Sequence, residues 1–461
     1  MGAIAIIGCI MWLWERLALR NKSRFFKAAR AYAPRKGAIT VAIAALPLLL
    51  LAQIVLLHLQ TKYDTPPTGT WATSLPIAIF DGDHGSSAHH GLFSVLGFAI
   101  GASESALLGL IVLAVSRGTR LSKPALILAV ALSAIISCVA PELSTSDPYE
   151  YVATGILGFG AYAPPNGALA GTIYGPISKF IPLGGVIYGP LWVIVDVVQT
   201  WFGSSVVEKI YALRLWNVGL ILGLVQIMRA SRLTPAVILS VILNPALWFY
   251  SVVNPHADIQ GLVLLATAFY FARNVKIVPA ILALTAAGLI KLPFVIIGGA
   301  ILMPIKSPPK RVAMWVVAIG AVAAISFVIP GHAYAVDLVK FAALKTQSHV
   351  MSKWIFFVPI VALAMLALVL SGKRAGGISL FFSQAGPIAA PWYLYWGAAY
   401  AIASGFGEVY MVSLPLLATL RDDMFELFFL VKVLIVMLVA AVFLDQIPLR
   451  FRGTPAAAMQ K

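Results

Sequence analysis

Apolar runs about as long as a lipid bilayer is thick recur along this chain. A helix needs about 20 apolar residues to cross the bilayer core. Of the 461 residues, 61% are hydrophobic and only 11% are charged, and the mean hydropathy is +0.93. Because a water-soluble domain of this composition would aggregate, we expect an all-α polytopic membrane protein. The apolar runs lie near 38–58, 91–116, 124–140, 210–229, 234–251, 256–272, 277–305, 311–330, 354–371, 376–420 and 424–445.

Basic residues lie between these runs and predict the topology. The formal net charge is +16, but the Lys and Arg residues cluster at the ends of apolar runs, which is typical of cytoplasmic loops on anionic lipid and disfavours a nucleic-acid partner. Residues 1–37 are predicted to form a short uncleaved helix and a basic cytoplasmic segment. The tail, residues 446–461, is also placed inside. Residues 59–90, 141–209, 254–258 and 331–353 are then predicted to lie outside.

The run at 277–305 has basic residues at both ends, so it should cross the membrane an even number of times. We predict two short helices that meet near Lys291 and Pro293, since a single straight helix would leave Lys291 at the bilayer centre. The stretch 188–203 is predicted to lie on the outer surface, with Trp192 and Trp201 at the level of the headgroups.

The outer loop contains an unusual acidic segment, STSDPYEYVATG at 144–155. A carboxylate at the membrane surface stays hydrated yet can meet a membrane-borne reactant, so Asp147 is a candidate general base. The same letters also indicate a helix start, with Asp147 as N-cap, Pro148 in the first turn and Glu150 closing a capping box. Glu150 is close enough to Asp147 to be a second acid of the site. Both interpretations stay open.

Three further residues are candidates for binding a charged reactant. His256 and Asp258 follow Asn254-Pro255 in a turn between two apolar runs, where they either build the turn or contact a phosphate or sugar, with Asp258 orienting His256. Lys291 either extends its ammonium to the headgroups or neutralises a leaving phosphate. Weaker candidates are the loop DGDHGSSAHH at 81–90, which resembles a metal site but is more typical of a solvated loop, the intramembrane Glu104, and the basic segment 331–353. Cys9 and Cys138 have no metal or disulfide spacing.

Five segments in order carry a family resemblance: APELSTSDPYEYVATG at 140–155, YGP at 188–190, RLWNVGLILGLVQIMRASRLTP at 214–235, LNPALWFYSVVNPHAD at 243–258 and IKLP at 290–293. Over residues 139–310 the chain resembles the polyprenol-phosphate-mannose-dependent α-1,6-mannosyltransferases, which are integral membrane glycosyltransferases of the GT-C class. The chain departs from the family pattern at Ser146, where the family usually has arginine, and at Ala257, where it has asparagine.

The resemblance implies a single integral membrane domain, residues 1–461, built as a GT-C-like bundle of roughly 12–14 transmembrane helices. Its extracytoplasmic loop, residues 141–209, would carry amphipathic surface helices and the catalytic centre. The resemblance also implies an inverting transfer in which Asp147 takes the proton of the acceptor. His256, Asp258, Lys291 and Tyr188 would then bind the donor phosphate or sugar.

The expected function is therefore transfer of a hexose, by resemblance mannose, from a polyprenyl-phosphate donor to a glycan or glycolipid. The reaction is expected on the outer face of the cytoplasmic (inner) membrane. No cofactor is expected to be required, because a lipid phosphate is already a good leaving group; assistance by a divalent cation is not predicted but stays open. The alternative is a flippase for lipid-linked sugars or another transporter, although polar groups and broken helices near the midplane, the signature of transporters, are found only around Lys291.

Overall fold

The computed structural model describes residues 36–63, 78–79, 90–181, 185–330, 398 and 407–419. The described chain is helical apart from a parallel bridge between Ala78–Ile79 and Glu142–Leu143. The α-helices are α1 Lys36–Tyr63, α2 His90–Ser116, α3 Lys123–Val139, α4 Asp147–Leu157, α5 Pro190–Thr200, α6 Val206–Ala230, α7 Pro235–Ile242, α8 Pro245–Trp248, α9 Asp258–Arg273, α10 Ile277–Ile290, α11 Leu292–Gly298, α12 Pro308–Val328 and α13 Gly407–Thr419. Short 3₁₀ helices at Gly158–Tyr162, Gly175–Phe180 and Gly299–Leu302 and a π-helix at Phe249–Val253 complete the elements.

Four of the described helices are long and apolar enough to cross a membrane. The candidate spans within them are Lys36–Leu59, Val95–Ser116, Val206–Ala230 and Pro308–Val328. The bent pair Pro235–Ile242 and Pro245–Val253 makes a fifth if it is one span. Large apolar side chains such as Val41, Leu48 and Ile127 lie exposed on α1 and α3, which is the surface that lipid covers. The prediction of an all-α polytopic membrane protein is thus confirmed. The windows predicted beyond residue 330, the first 35 residues and the tail lie outside the described residues, apart from α13.

The 277–305 run folds as the sequence predicts. Helix α10 ends at Ile290, Lys291 is extended (φ −153°, ψ 123°), and α11 begins at Leu292. The two helices turn back on each other and pack closely. A Cβ atom added to Gly288 of α10 would lie 2.7 Å from the Val295 side chain of α11. The Trp315 indole of α12 donates to the Val295 carbonyl at 2.8 Å and holds α11 in place. Lys291 therefore lies at the tip of a helical hairpin.

Helix α4 and helix α5 form a small layer beside the long helices. They approach closely at Gly155, where a Cβ atom would collide with Thr200 and with the Asp196 carbonyl. Helix α9 packs against α10 and α6, and Gly261 of α9 leaves room for the Phe294 ring. These contacts bring the starts of α4 and α9 and the tip of the α10–α11 hairpin into one region.

Helix α13 is attached to the bundle by polar contacts. Pro415 within α13 has no N–H to bond the carbonyl of Met411, and the Asn244 amide donates to that carbonyl at 2.6 Å. The Ser105 hydroxyl of α2 accepts from the Leu416 N–H at 3.1 Å. Apolar helices in a membrane need such bonds wherever their own ladder is broken.

Candidate active site

Asp147 begins α4 but does not cap it. The N-cap position is Ser146, and no side-chain cap hydrogen bond forms there. The Thr145 hydroxyl accepts from the Asp147 N–H at 3.2 Å and donates to Asp147 Oδ1 at 3.0 Å. Asp147 Oδ2 accepts from the Tyr151 hydroxyl at 3.4 Å. The predicted N-cap role of Asp147 and the capping box with Glu150 are therefore wrong, because the helix begins one residue earlier and the carboxylate is bonded to side chains.

His256 approaches Asp147 from the turn between the π-helix and α9. Its Nδ1 atom lies 3.3 Å from Asp147 Oδ2, and its side chain is 0% exposed, against 24% for the side chain of Asp147. The Asn254 side chain joins the two segments, since its Oδ1 atom accepts from the Ser144 N–H at 2.6 Å. Of this pair, only the carboxylate is accessible from outside.

Lys291 approaches the same region from the hairpin tip. Its Nζ atom is 3.4 Å from Asp258 Oδ1, and Asp258 is fully buried at the start of α9. The ammonium also lies 5.2 Å from the centre of the Tyr188 ring, within the range of a cation–π contact. The Gly189 N–H donates to the Ile290 carbonyl at 3.0 Å. Asp258 Oδ1 thus forms an ion pair with Lys291, and its orienting contact with His256 stays a prediction.

Aromatic side chains close the region from the α5 side. The hydroxyls of Tyr151 and Tyr188 are 3.1 Å apart, and the Tyr162 hydroxyl donates to the Tyr188 carbonyl at 2.8 Å. Trp192 packs edge-on against Tyr151, with 4.7 Å between ring centres, and is 1% exposed. Trp192 therefore faces the protein from α5, whereas Trp201, 80% exposed, lies on the surface; the level of both residues relative to the headgroups stays a prediction.

The two acids of α4 have opposite pKa shifts. Burial alone would raise the pKa of Asp147, but the hydrogen bond and charge of His256, the charge of Lys291 and the Thr145 hydroxyl hold it below its ordinary value. Burial, and then the charge of Asp147, raise the pKa of Glu150 to about 8, against a smaller opposing effect of Lys291. At neutral pH the site therefore combines one ionised carboxylate with one protonated acid. A pair of carboxyls whose pKa values are shifted in opposite directions is typical of sites that do acid–base chemistry.

The structure thus brings together all the main residues singled out from the sequence, namely Asp147, Glu150, Tyr188, His256, Asp258 and Lys291. Glu104 belongs to a different contact, since it is buried in α2 and its Oε2 atom accepts from Gln53 of α1 at 3.3 Å. The loop 81–90 is outside the described residues except for His90, as is the segment 331–353. Within the described ranges, no group of three or more His, Cys, Asp or Glu side chains could hold a metal ion.

Two side chains that contact Asp147 and one that joins its segment to that of His256 were not predicted from the sequence. Thr145 and Tyr151 both bond the carboxylate. Tyr151 follows Asp147 by one helical turn, so the spacing offered a signal for it. Asn254 was interpreted only as a turn residue, and no local pattern indicates its bond to Ser144.

The fold and the site define a polytopic helical membrane protein with a buried, charged centre that joins α4, α9 and the α10–α11 hairpin. A family model described as the N-terminal domain of alpha-(1->6)-mannopyranosyltransferases, the MptA_B family, matches residues 64–306. The match covers more than half of the chain, and the chain belongs to this family, as the resemblance at 139–310 predicted. It is an integral membrane protein of a mannosyltransferase family and hence a glycosyltransferase. No curated protein and no solved structure matches the chain.

Proposed function

We propose that this glycosyltransferase moves mannose from a polyprenyl-phosphate donor to a hydroxyl of a glycan or glycolipid, with inversion at the anomeric carbon and Asp147 as general base. The observation that carries the proposal is the contact of Asp147 Oδ2 with His256 Nδ1 at 3.3 Å, in which the carboxylate alone is accessible. A general base must reach the proton that it removes.

The chemistry is a single displacement. The acceptor oxygen forms a bond to the anomeric carbon while the bond from that carbon to the phosphate oxygen breaks. The hydroxyl proton moves to Asp147, and the polyprenyl phosphate leaves with the bonding electrons. Attack opposite to the leaving group inverts the configuration. Because the pKa of Asp147 is lowered, the carboxylate is ionised and ready to accept a proton at neutral pH.

The departing phosphate gains negative charge and needs a cation nearby. The Lys291 ammonium is almost fully buried beside Asp258 and Tyr188, where an electrostatic contact is stronger than in water. His256 contacts the accessible carboxylate directly. In this proposal Lys291 stabilises the leaving group, His256 keeps Asp147 ionised from the protein side, and no metal ion has a role.

The proposal places the site on the extracytoplasmic face of the cytoplasmic membrane. Helix α3 runs from Lys123 to Val139, and its 17 residues span about 26 Å at 1.5 Å per residue. Arg117, Arg120 and Lys123 lie at its beginning and Asp147 shortly after its end. If the basic loop is cytoplasmic, the opposite end of α3, and Asp147 with it, faces outward.

A transfer assay with the purified protein tests the proposal. The protein in detergent is given radiolabelled polyprenyl-phosphate mannose and a mannoside acceptor. We expect a labelled disaccharide whose new linkage has the anomeric configuration opposite to that of the donor. If the protein only moves the labelled lipid across the bilayer of proteoliposomes and forms no glycosidic bond, it is a transporter and the proposal is wrong.

A further inference from the structure

Arg214 of α6 is a fully buried arginine that bonds two separate segments of the chain. Its Nη1 atom donates to the carbonyls of Cys138 and Ala140, at 3.0 and 2.6 Å. Its Nε and Nη2 atoms donate to the carbonyl of Val253, at 3.2 and 3.0 Å. The planar guanidinium holds these three carbonyls in fixed directions, which a lysine cannot do.

Both segments lead directly to the candidate site. Ala140 precedes the loop that ends at Asp147, and Val253 precedes the turn that contains His256. These segments are not paired with each other by a long sheet or a shared helix. Their relative position therefore depends on side chains that bond to both.

Asn217, one turn further along α6, extends the same arrangement. Its Nδ2 atom donates to the carbonyl of Ser251 at 2.6 Å and to the carbonyl of His256 at 3.4 Å. Asn217 is also buried. One face of α6 thus bonds the backbone before Asp147, the backbone before His256 and His256 itself.

We propose that Arg214 and Asn217 are positioning residues that set the separation of Asp147 and His256 for sugar transfer. The proposal rests on the proposed function, because positioning is defined by its effect on that reaction. Removing a cation from water is unfavourable, and here the hydrogen bonds of Arg214 to the two segments that carry the site offset this desolvation. The bonds described for both side chains end on backbone carbonyls, so both act on the site through the backbone.

Loss of these bonds should change the pKa of Asp147 as well as the rate. If the two segments shift, His256 moves away from Asp147 and the carboxylate loses its hydrogen bond and its neighbouring charge. The pKa of Asp147 then rises, and the acid side of the pH–rate profile moves to higher pH. A variant that only unfolds more easily lowers the amount of active protein at every pH and leaves the position of that limb unchanged.

The test is Arg214→Lys, which keeps the charge but cannot bond all three carbonyls. We expect a folded protein in which kcat for mannose transfer falls about tenfold or more, as for other displaced catalytic groups, the KM for the donor changes little, and the acid limb moves to higher pH. Arg229 is an exposed arginine at the end of the same helix, and Arg229→Lys is the matched control that should behave as the wild type.

Two results would overturn the proposal. One is an Arg214→Lys protein with wild-type kcat; the other is a loss of activity that matches the loss of folded protein while the acid limb stays in place. If Arg214→Lys does not fold, the same measurements on Asn217→Ala decide in the same way. A wild-type protein that transfers no sugar would instead reject the proposed function, and the positioning role with it.

Discussion

The Nδ1 atom of His256 lies 3.3 Å from Oδ2 of Asp147, although more than 100 residues separate the two along the chain. His256 is fully buried and Asp147 is partly exposed. The histidine therefore acts on the carboxylate from the protein side, while the open side of the carboxylate is left for a reactant. In the proposed reaction, Asp147 is therefore the member of this pair that accepts the proton of the substrate.

Replacing Asp147 with Asn tests this assignment. The amide has nearly the same size as the carboxylate but cannot take up a proton. We expect kcat for mannose transfer to fall by about 10² to 10⁴-fold, with the protein folded and the donor still bound. Glu104→Gln is the control, because Glu104 is a buried acid that contacts Gln53 outside the site. Transfer by Asp147→Asn at the wild-type rate would show that another group is the base.

Replacing His256 with Asn tests the electrostatic role of the histidine. The pKa of Asp147 is held low chiefly by His256 against the effect of burial. Without the histidine this pKa rises, so activity is lost at a higher pH when the solution is acidified. We expect the acid limb of the kcat/KM profile to move upward in pH, which a series of assays in buffers of decreasing pH measures.

The matched control for this shift is His58→Asn. His58 lies on α1 and is exposed, so its replacement should leave the profile unchanged. An acid limb that stays at the wild-type pH in His256→Asn would mean that the histidine does not set the ionisation of Asp147.

The parts of the structure that were predictable depend on local patterns. The number of apolar residues in a run predicts a span, and flanking charges with Lys291 in the middle predicted the hairpin of α10 and α11. The main site residues were also found, since charged side chains stand out in an apolar chain. The inward face of Trp192 was not found, because the period of α5 does not tell which side meets the protein and which meets lipid.

The parts that were not predictable depend on contacts between distant segments. The bonds of Arg214 join residues 74, 76 and 39 positions away, and their partners are carbonyl groups that every residue type has. Nothing in the sequence marks a carbonyl as an acceptor. The N-cap prediction for Asp147 failed for a similar reason, since its competing partner His256 lies more than 100 residues away along the chain and comes close only after the chain has folded.

Glu150→Gln tests the raised pKa of the second acid. The folded protein holds a proton on Glu150 up to about pH 8, whereas an unfolded carboxyl has a pKa near 4.5. Between these values the unfolded state binds fewer protons, so stability falls as the pH rises from about 4.5 to about 8 and then stays level. Glu150→Gln lacks this titration. We expect its melting temperature in detergent to exceed that of the wild type at pH 8, by an amount that corresponds to a few kcal/mol.

The same variant separates charge from packing. At pH 5, where Glu150 is protonated in the folded wild type, the two proteins should differ much less in melting temperature. A difference that is the same at pH 5 and pH 8 would show that packing, and not ionisation, distinguishes them.

The double variant Lys291→Met with Asp258→Asn tests the role of the ammonium. Removing Lys291 alone leaves Asp258 buried without its ion pair and should destabilise the protein by about 3–5 kcal/mol. The double variant removes both charges, so we expect most of the stability to return. The transfer rate should remain about 10² to 10³-fold below that of the wild type, because in the proposed reaction the leaving phosphate has lost a cation.

Melting curves and transfer kinetics of both proteins measure these two effects independently. Asp258→Asn alone is the control for loss of the carboxylate. If the double variant transfers mannose as the wild type does, the ammonium serves only the ion pair with Asp258 and is not a partner of the donor.

Replacing Gly189 with Ala tests the contact between the YGP segment and the hairpin tip. The backbone of Gly189 has ordinary angles (φ −72°, ψ 166°), so an added Cβ causes no local strain, but it would collide with the carbonyl of Leu289. Backbone atoms cannot rotate away, so we expect a loss of about 1–3 kcal/mol in the free energy of unfolding and a rise in the KM for the donor as Tyr188 and Lys291 separate.

Gly219→Ala on α6 is the control, since no atom lies within 4 Å of the added Cβ and alanine in a helix is favoured by about 0.5–1 kcal/mol. Opposite shifts in melting temperature for the two variants are therefore expected; a Gly189→Ala protein as stable as Gly219→Ala would mean that the YGP segment does not touch the hairpin.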